Sequence, residues 1–300
     1  MKTTEQNPDK ASQFIYDALI SDQPCMIGRF GAFELNTIVN YLGVKNENKN
    51  VLNYIQGKEP DWWWNHSLIN YMQSNAGFFP PTVDKIEQFC ELMIHDMKEV
   101  DILGSWLEVE KFVDDKLTAK KVHLRLLEPF WAKTPWTKSL EGKKVLVVHP
   151  FNTTIGKQFA KRSMLFKKDI LPNFTLITMP AVQSIGNVDN EFSDWFEALE
   201  FMKTQIDKVD YDVCLIGAGA YGFPLAAHVK RSGKKAVHLG GSLQLLFGIK
   251  GKRWEDSSYG VKEWGIAPNS YSNLMNEHWV RPGENEKPKT ANVVEGACYW

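Results

Sequence analysis

The stretch between Asp210 and Gly240 limits the fold of this chain more than any other. An apolar run from Tyr211 to Ile216 leads into Gly217-Ala-Gly-Ala-Tyr-Gly222, and a second apolar run ends at Gly240. Short apolar runs bounded by glycine are typical of buried strands, and about a dozen residues between two of them suit a crossover helix. The stretch therefore predicts an α/β, Rossmann-like fold with a mostly parallel sheet and helices on both faces.

The glycines of this stretch, Gly217, Gly219 and Gly222, keep the G-x-G-x-x-G spacing of dinucleotide-binding turns. Because glycine has no Cβ, such a turn can be tight and can direct its N–H groups at a phosphate. The acidic residue expected about 20 residues later for the ribose is missing, since residues 237–239 are Val-His-Leu. Two interpretations stay open: the turn contacts a phosphate or nucleotide, or it serves only to pack a helix on a strand.

Charge and length exclude some classes of protein. The chain has 35 Lys and Arg against 36 Asp and Glu, so no net field attracts nucleic acid or an anionic membrane. Its 300 residues are enough for a large core, in one domain or in two.

Cysteine usage and the start of the chain indicate a compartment. The four cysteines are far apart and form no C-x-x-C pair, which is typical of free, buried cytosolic thiols. The polar first ten residues contain no apolar signal segment, and no window is apolar enough to span a membrane. We therefore expect a cytoplasmic protein without a transmembrane segment.

The pattern along the chain predicts two α/β halves. Residues 1–131 form an N-terminal half with a helical, aromatic-rich elaboration, and residues 144–262 form a Rossmann-like nucleotide-binding half. Residues 132–143 are the candidate linker, and residues 263–300 form a tail packed on the domain. A single domain over 11–300 is the alternative. Three consecutive indoles, Trp62 to Trp64, either pack in the core or line a groove for a sugar.

Polar residues gather where the predicted strands end, and ligands bind at the carboxyl ends of parallel strands. The candidates for substrate binding are Arg29, Gly31, Ser105, His149, Gln183, Gly217, Gly219, Tyr221, Gly222, Gly241, Gln244, Lys250 and Arg253. A polar, glycine-rich rim with a cationic loop at Lys250 to Arg253 predicts an anionic, phosphorylated small molecule.

Carboxylates at the same strand ends have two interpretations each. Glu34 either pairs with Arg29 to fix the turn or acts as a base or metal ligand. Glu108 is either an exposed loop acid or a ligand for Mg²⁺ or Mn²⁺.

Four segments carry a family resemblance: Gly28-Arg-Phe-Gly-Ala-Phe-Glu34, Gly217 to Gly222, Gly240 to Trp254, and Glu295-Gly-Ala-Cys-Tyr-Trp300. Over nearly the whole chain they resemble uncharacterised bacterial polysaccharide-biosynthesis proteins encoded in capsule and O-antigen clusters. The first segment is also similar to the Arg-x-Gly-Asp-x-Glu turn of GT-D glycosyltransferases. That resemblance implies a nucleotide-sugar donor, often with Mg²⁺ or Mn²⁺ at the Asp-x-Glu pair. Ala32 stands where the Asp would be, so metal dependence at Glu34 is in doubt.

The first hypothesis is a glycosyltransferase that moves a sugar from a nucleotide-diphosphate donor to a surface polysaccharide or its lipid-linked precursor. Glu34 would be the acid/base or metal group, Arg29 would neutralise the leaving diphosphate, and a Trp-lined groove would hold the acceptor. The second hypothesis is a non-catalytic nucleotide- or glycan-binding accessory protein of polysaccharide assembly. A third, an NAD-dependent sugar-modifying enzyme, is disfavoured by the missing ribose carboxylate.

Overall fold

The computed structural model describes residues 3–185, 191–291 and 296–300. Its strands are β1 Cys25–Arg29, β2 Ile102–Ser105, β3 Lys120–His123, β4 Lys144–Val148, β5 Thr175–Met179, β6 Val213–Ile216 and β7 Lys235–His238. They form one seven-stranded sheet in the order β3-β2-β1-β7-β6-β4-β5. All six pairings between neighbouring strands are parallel, so the predicted α/β class is confirmed.

Helices cover both faces of this sheet. They are α1 Pro8–Ile20, α2 Ala32–Lys45, α3 Val51–Ile55, α4 His66–Ala76, α5 Val83–Asp96, α6 Asn152–Phe159, α7 Arg162–Leu165, α8 Trp195–Asp207, α9 Gly222–Arg231, α10 Leu243–Leu246, α11 Lys252–Glu255 and α12 Val261–Trp264. One core lies under α2, α4, α5, α8 and α9, and the other lies under α1, α6, α10 and the C-terminal segment. Successive β4 side chains, such as Leu146 and Val147, enter opposite cores because strand side chains alternate in direction.

The two halves predicted from the sequence contribute strands to the same sheet. Strand β1 of the first half pairs directly with β7 of the second, with Ile27 opposite Val237. Residues 132–143 are packed into the core instead of forming an exposed linker. Trp136 and Leu140 are fully buried, and the Trp136 Nε1–H donates to the carbonyl of Leu127 at 2.9 Å. A buried indole with its N–H satisfied anchors this segment.

Several element ends differ from those that the pattern predicts. Helix α1 begins at Pro8, although apolar residues at helical spacing start only near Phe14, because the Asn7 side chain accepts the N–H groups of Asp9 and Lys10. The apolar pattern of residues 122–127 predicts a strand, yet β3 ends at His123 and a 3₁₀ helix, Leu124–Leu127, follows. The pattern of residues 155–170 predicts one helix, yet α6 stops at Phe159 and α7 is a separate short turn.

The state of the cysteines and the character of the helices complete the description of the fold. All four cysteines are free and buried, as predicted. Among the described residues, no helix has the length and apolar character needed to cross a membrane.

Candidate functional site

A cavity of about 780 Å³ opens at the carboxyl ends of the strands. Of the candidate residues, it is lined by Arg29, Gly31, Glu34, Glu108, His149, Gln183, Gly217, Gly219, Tyr221, Gly241, Gln244 and Arg253. Ser105, Gly222 and Lys250 are not part of its lining. The chain therefore brings residues from its start, middle and end to one place.

The turn after β1 places a carboxylate over the start of α2. Gly31 is the residue before the helix, and Glu34 lies in its first turn. A Cβ on Gly31 would lie 1.9 Å from the Glu34 Oε2, so only glycine leaves room for the carboxylate to fold back. Burial raises the pKa of Glu34, and the opposing charge of Arg29 offsets only part of that rise.

Arg29 is held between an indole and a glycine backbone. Its guanidinium lies 5.4 Å from the centre of the Trp106 ring, and a Cβ on Gly240, whose φ is +61°, would lie 3.4 Å from its Nη1. No carboxylate of the described residues lies within 4 Å of that guanidinium. Burial lowers the pKa of Arg29, and the like charge of Arg253 acts in the same direction.

Arg253 reaches the same cavity from α11. Its guanidinium lies 4.8 Å from the centre of the Tyr299 ring, and one N–H donates to the Cys298 sulfur at 3.1 Å. Burial favours a lower pKa for Arg253, but Tyr299, Cys298 and Tyr259 outweigh it and hold the pKa above its ordinary value. The charge of Arg253 acts on Arg29, so the two guanidinium groups lie near each other in one cavity. Two neighbouring cations form an environment suited to an anion.

His149 follows β4 and is fixed as a neutral hydrogen-bond donor. Its Nδ1 accepts the Phe151 N–H at 2.9 Å, so the neutral ring carries its proton on Nε2. The residue is 3% exposed, and burial lowers its pKa to about 3. Gly217 lies directly against the ring, since a Cβ there would be 2.6 Å from the His149 Cδ2.

The N-terminus of α6, close to His149 in the chain, is capped by the carboxylate of Glu286. The Glu286 Oε1 accepts the N–H groups of Thr153 at 2.9 Å and Thr154 at 3.1 Å. A carboxylate at this position satisfies the free N–H groups of the first turn and complements the helix dipole. The N–H groups of Thr153 and Thr154 are therefore already paired within the protein.

The glycines of the motif differ in their surroundings. Gly217 and Gly219 line the cavity, and Gly219 has a φ of +52° that favours glycine. Gly222 serves packing, because a Cβ there would lie 2.1 Å from the Cε1 of His238. His238 lies where the glycine motif predicts a ribose-binding carboxylate. Its buried ring packs against Gly222, the first residue of α9.

Two further candidates, Ser105 and Tyr221, have structural partners within the protein. Ser105 donates its hydroxyl hydrogen bond to Glu110, which also accepts the N–H of Trp106 at 2.8 Å, so Ser105 fixes the loop after β2. Tyr221 stacks on Trp195 at 4.9 Å, and its hydroxyl hydrogen-bonds the Ser184 hydroxyl at 2.8 Å.

Gln244 joins the predicted cationic loop to the end of the chain. Its Nε2 donates to the carbonyls of Lys250 and Tyr299, both at 3.1 Å. The Lys250 N–H donates to the Val280 carbonyl at 2.7 Å, which fixes the loop backbone. Of the predicted cations in this loop, Arg253 lines the cavity and Lys250 does not.

The aromatic lining comes from residues other than those expected. Trp62, Trp63 and Trp64 do not line the cavity; Trp63 is 56% exposed and Trp64 packs against the core. The aromatic side chains that do line it include Trp106, Tyr259, Trp264, Tyr299 and Trp300. Four of these belong to the C-terminal third of the chain. The many Trp and Tyr residues of that third are the sequence feature that could have predicted an aromatic lining. His123 at the end of β3 was also missed.

The acidic residues do not form a metal centre by themselves. Within residues 3–185, 191–291 and 296–300, no three His, Cys, Asp or Glu side chains are grouped closely enough to hold a metal ion. Glu34 is folded onto Gly31, and Glu108 is exposed at the rim. The described residues supply no complete set of protein ligands for a divalent cation, and no step below passes through one.

Comparisons with known proteins found structural likeness only. No protein-family model and no curated protein matches the chain. A solved structure described as a new glycosyltransferase (DUF1792) from Streptococcus sanguinis is 12% identical, covers 95% of this chain and 96% of its own, and has a TM-score of 0.38. A second, described as a domain of unknown function 1792 with a distinct glycosyltransferase fold, is 11% identical over 94% of this chain and 92% of its own, with a TM-score of 0.37. These scores are too low to assign a function, which must be argued from the site.

Proposed function

We propose that this protein is a glycosyltransferase that transfers a sugar from a nucleotide-diphosphate donor to a glycan or lipid-linked acceptor of a bacterial surface polysaccharide. The observation that carries the proposal is the convergence of Arg29 and Arg253 in one cavity at the carboxyl edge of the sheet. The charge of Arg253 lowers the pKa of Arg29, and a diphosphate bound beside both groups would offset that repulsion.

The groups around these arginines suit the binding of a diphosphate. The Nε2–H of His149 is a neutral donor, and Gly219 lines the same cavity, whereas the Gly217 N–H already donates to the Val148 carbonyl at 2.9 Å. Glycosyl transfer requires a leaving diphosphate to be stabilised as its bond to the sugar breaks, and oriented N–H groups and guanidinium groups supply that stabilisation.

Glu34 is the group best placed to accept a proton. Its raised pKa makes it a stronger base than an exposed carboxylate. In the proposed step the acceptor hydroxyl gives its proton to the Glu34 carboxylate while its oxygen bonds to the anomeric carbon. The bond from that carbon to the diphosphate breaks, and the electron pair leaves with the diphosphate between Arg29 and Arg253.

Binding of uridine and guanosine diphosphates, measured by calorimetry, tests the donor site. Arg29→Gln and Arg253→Gln should each weaken the bound diphosphate by about tenfold or more, as expected for the loss of a charged hydrogen bond. Lys252→Gln is the matched control, because Lys252 is an exposed cation next to Arg253 and does not line the cavity. If neither diphosphate binds, or if all three variants bind like the parent protein, the proposal is wrong.

One observation favours a non-catalytic accessory protein as the second candidate. Ala32 supplies no carboxylate at the turn, and no metal-binding group of three is present in the described part of the chain. Such a protein would bind the donor without cleaving it. Release of nucleoside diphosphate from a nucleotide sugar, with and without an acceptor, separates the two candidates.

A further inference from the structure

The cavity has two sides, separated by the turn that carries Arg29 and Glu34. The sheet order places β1, which precedes this turn, between β2 and β3 on one side and β7, β6 and β4 on the other. His123 ends β3, whereas the Gly217 turn follows β6. These strands are four spacings of about 4.8 Å apart, or roughly 19 Å. A diphosphate held near the Gly217 turn therefore leaves the β2–β3 side of the cavity open for a second group.

That side has the chemistry of a sugar-binding surface. Its lining residues are Trp106, Glu108, His123, Tyr259, Glu263 and Trp264. The Tyr259 and Trp264 rings meet edge to face at 5.3 Å, and the His123 ring meets the Trp264 ring at 6.1 Å. Aromatic faces pack against the apolar C–H face of a pyranose, while carboxylates and an imidazole N–H bond to its hydroxyl groups.

The backbone fixes the Trp264 indole at this surface. Trp264 ends the four-residue helix α12, which lies between Gly260 with a φ of +78° and Gly265 with a φ of +63°. A Cβ on Gly260 would lie 2.6 Å from the Trp264 ring, so glycine is needed for the ring to pack there.

His123 is fixed in the same way as His149. Its Nδ1 accepts the Arg125 N–H at 3.3 Å, which leaves the proton of the neutral ring on Nε2. Burial, with Arg125, lowers the pKa of His123 and favours that neutral form. Both ends of the cavity are thus lined by a neutral imidazole whose Nδ1 is already occupied by a backbone N–H.

Charge differs between the two sides. The cations that line the cavity within the described residues are Arg29 and Arg253, whereas Glu108 and Glu263 lie on the β2–β3 side and are exposed. The charges of Arg253 and Arg29 both act on Tyr259, whereas Glu108 and Glu263 are the exposed charges of that side. A second anionic group bound at the exposed part of that side would meet these two carboxylates and would be repelled.

We propose that the β2–β3 side of the cavity is an acceptor subsite that takes an uncharged or amino-bearing pyranose and rejects one that carries a carboxylate. The proposal rests on the glycosyltransferase function proposed above, since it assigns the second substrate of that reaction. The aromatic surface would bind the pyranose ring. Glu108 and Glu263 would repel a sugar that carries a negative charge.

Saturation-transfer NMR with three probes tests this subsite: methyl glucoside, methyl glucosaminide and methyl glucuronide. The first two should bind, and the glucuronide should bind at least about fivefold more weakly. Trp264→Ala should weaken the two binding probes by about fivefold, the loss expected for one aromatic contact. Trp63→Ala is the matched control, because it removes an exposed indole outside the cavity.

A second variant tests the subsite without removing a packed side chain, so a failure to fold cannot explain its result. The double substitution Glu108→Gln and Glu263→Gln changes only exposed side chains, and it should raise glucuronide binding towards that of the glucoside. Equal binding of all three probes to the parent protein, or no binding of any, would overturn the subsite.

Uridine diphosphate titrations of the same variants separate this inference from the proposed function. Trp264→Ala should leave the affinity for uridine diphosphate unchanged. A tenfold loss would show that the indole holds the nucleobase, and the acceptor assignment would be wrong. If the glycosides bind the parent protein and neither uridine nor guanosine diphosphate does, the donor site fails while the glycan site stands.

Discussion

Acidification should destabilise this protein through two buried imidazoles, and a substitution at one of them isolates the effect. His149 and His238 are each 3% exposed. Burial lowers the pKa of each to about 3, with Arg29 adding to the effect at His238, against an ordinary value of 6.5. Between pH 6.5 and 3 the unfolded chain therefore binds protons that the folded chain does not. The stability from these rings is fully present above pH 6.5 and is lost as the pH falls through that window.

The magnitude follows from the width of the window. One pKa unit corresponds to about 1.36 kcal/mol, so the fall from pH 6.5 to 5.0 costs about 2 kcal/mol of unfolding free energy for each ring. Glu128 acts in the opposite direction, because burial raises its pKa to about 7 against an ordinary 4.5. Its protonation in the folded state returns about 2 kcal/mol over the same range, so in the parent protein Glu128 offsets about half of the loss from the two imidazoles.

His149→Asn removes one of these imidazoles and keeps an acceptor for the Phe151 N–H that His149 now accepts. Urea unfolding followed by tryptophan fluorescence at pH 7.5 and 5.0 gives the free energy of unfolding of each variant. The loss between these pH values should be smaller in His149→Asn than in the parent by about 2 kcal/mol. His66→Asn removes an exposed imidazole and is the matched control. Equal losses in His149→Asn and the parent would refute the reasoning.

Four further results are expected. Glu34→Gln should abolish sugar transfer and leave the diphosphate dissociation constant nearly unchanged, as measured by product release and calorimetry; unchanged turnover would rule out the proton-accepting role. Gly31→Ala, which displaces the Glu34 carboxylate, should lower transfer while the melting temperature moves little; activity equal to the parent would contradict the placement of that carboxylate. Gly222→Ala forces a methyl group against the His238 ring and should lower the unfolding free energy by about 1–3 kcal/mol, which urea unfolding would detect. Chelation with EDTA should leave diphosphate affinity unchanged, and a loss restored by Mn²⁺ would reveal a metal site that the described residues do not form.

Local patterns in the sequence were enough for the sheet and for part of the site. The apolar runs around Leu146 and Leu215 are buried strands, because a parallel strand covered on both faces must be apolar throughout. The turn from Arg29 to Glu34 and the position of His149 follow from the same rule, since polar residues just after such strands meet at one edge.

Other features were decided by contacts between distant segments. Local pattern allows residues 122–127 to be a strand, yet the ladder ends at His123, and it allows 132–143 to be a linker, yet Trp136 is buried. The order of the strands, which no local pattern encodes, decides which loops become neighbours.

The aromatic lining of the cavity also depended on contacts between distant segments. Sequence composition identified Trp62 to Trp64 as a groove candidate, but the indoles of Trp106, Trp264 and Trp300 line the cavity. The direction in which an aromatic side chain points depends on the elements packed around it. The sequence by itself determined the parallel sheet and the kinds of residue at its edge. Only the tertiary structure placed Arg253 in the same cavity as Arg29, because long-range packing of the C-terminal segment sets their separation.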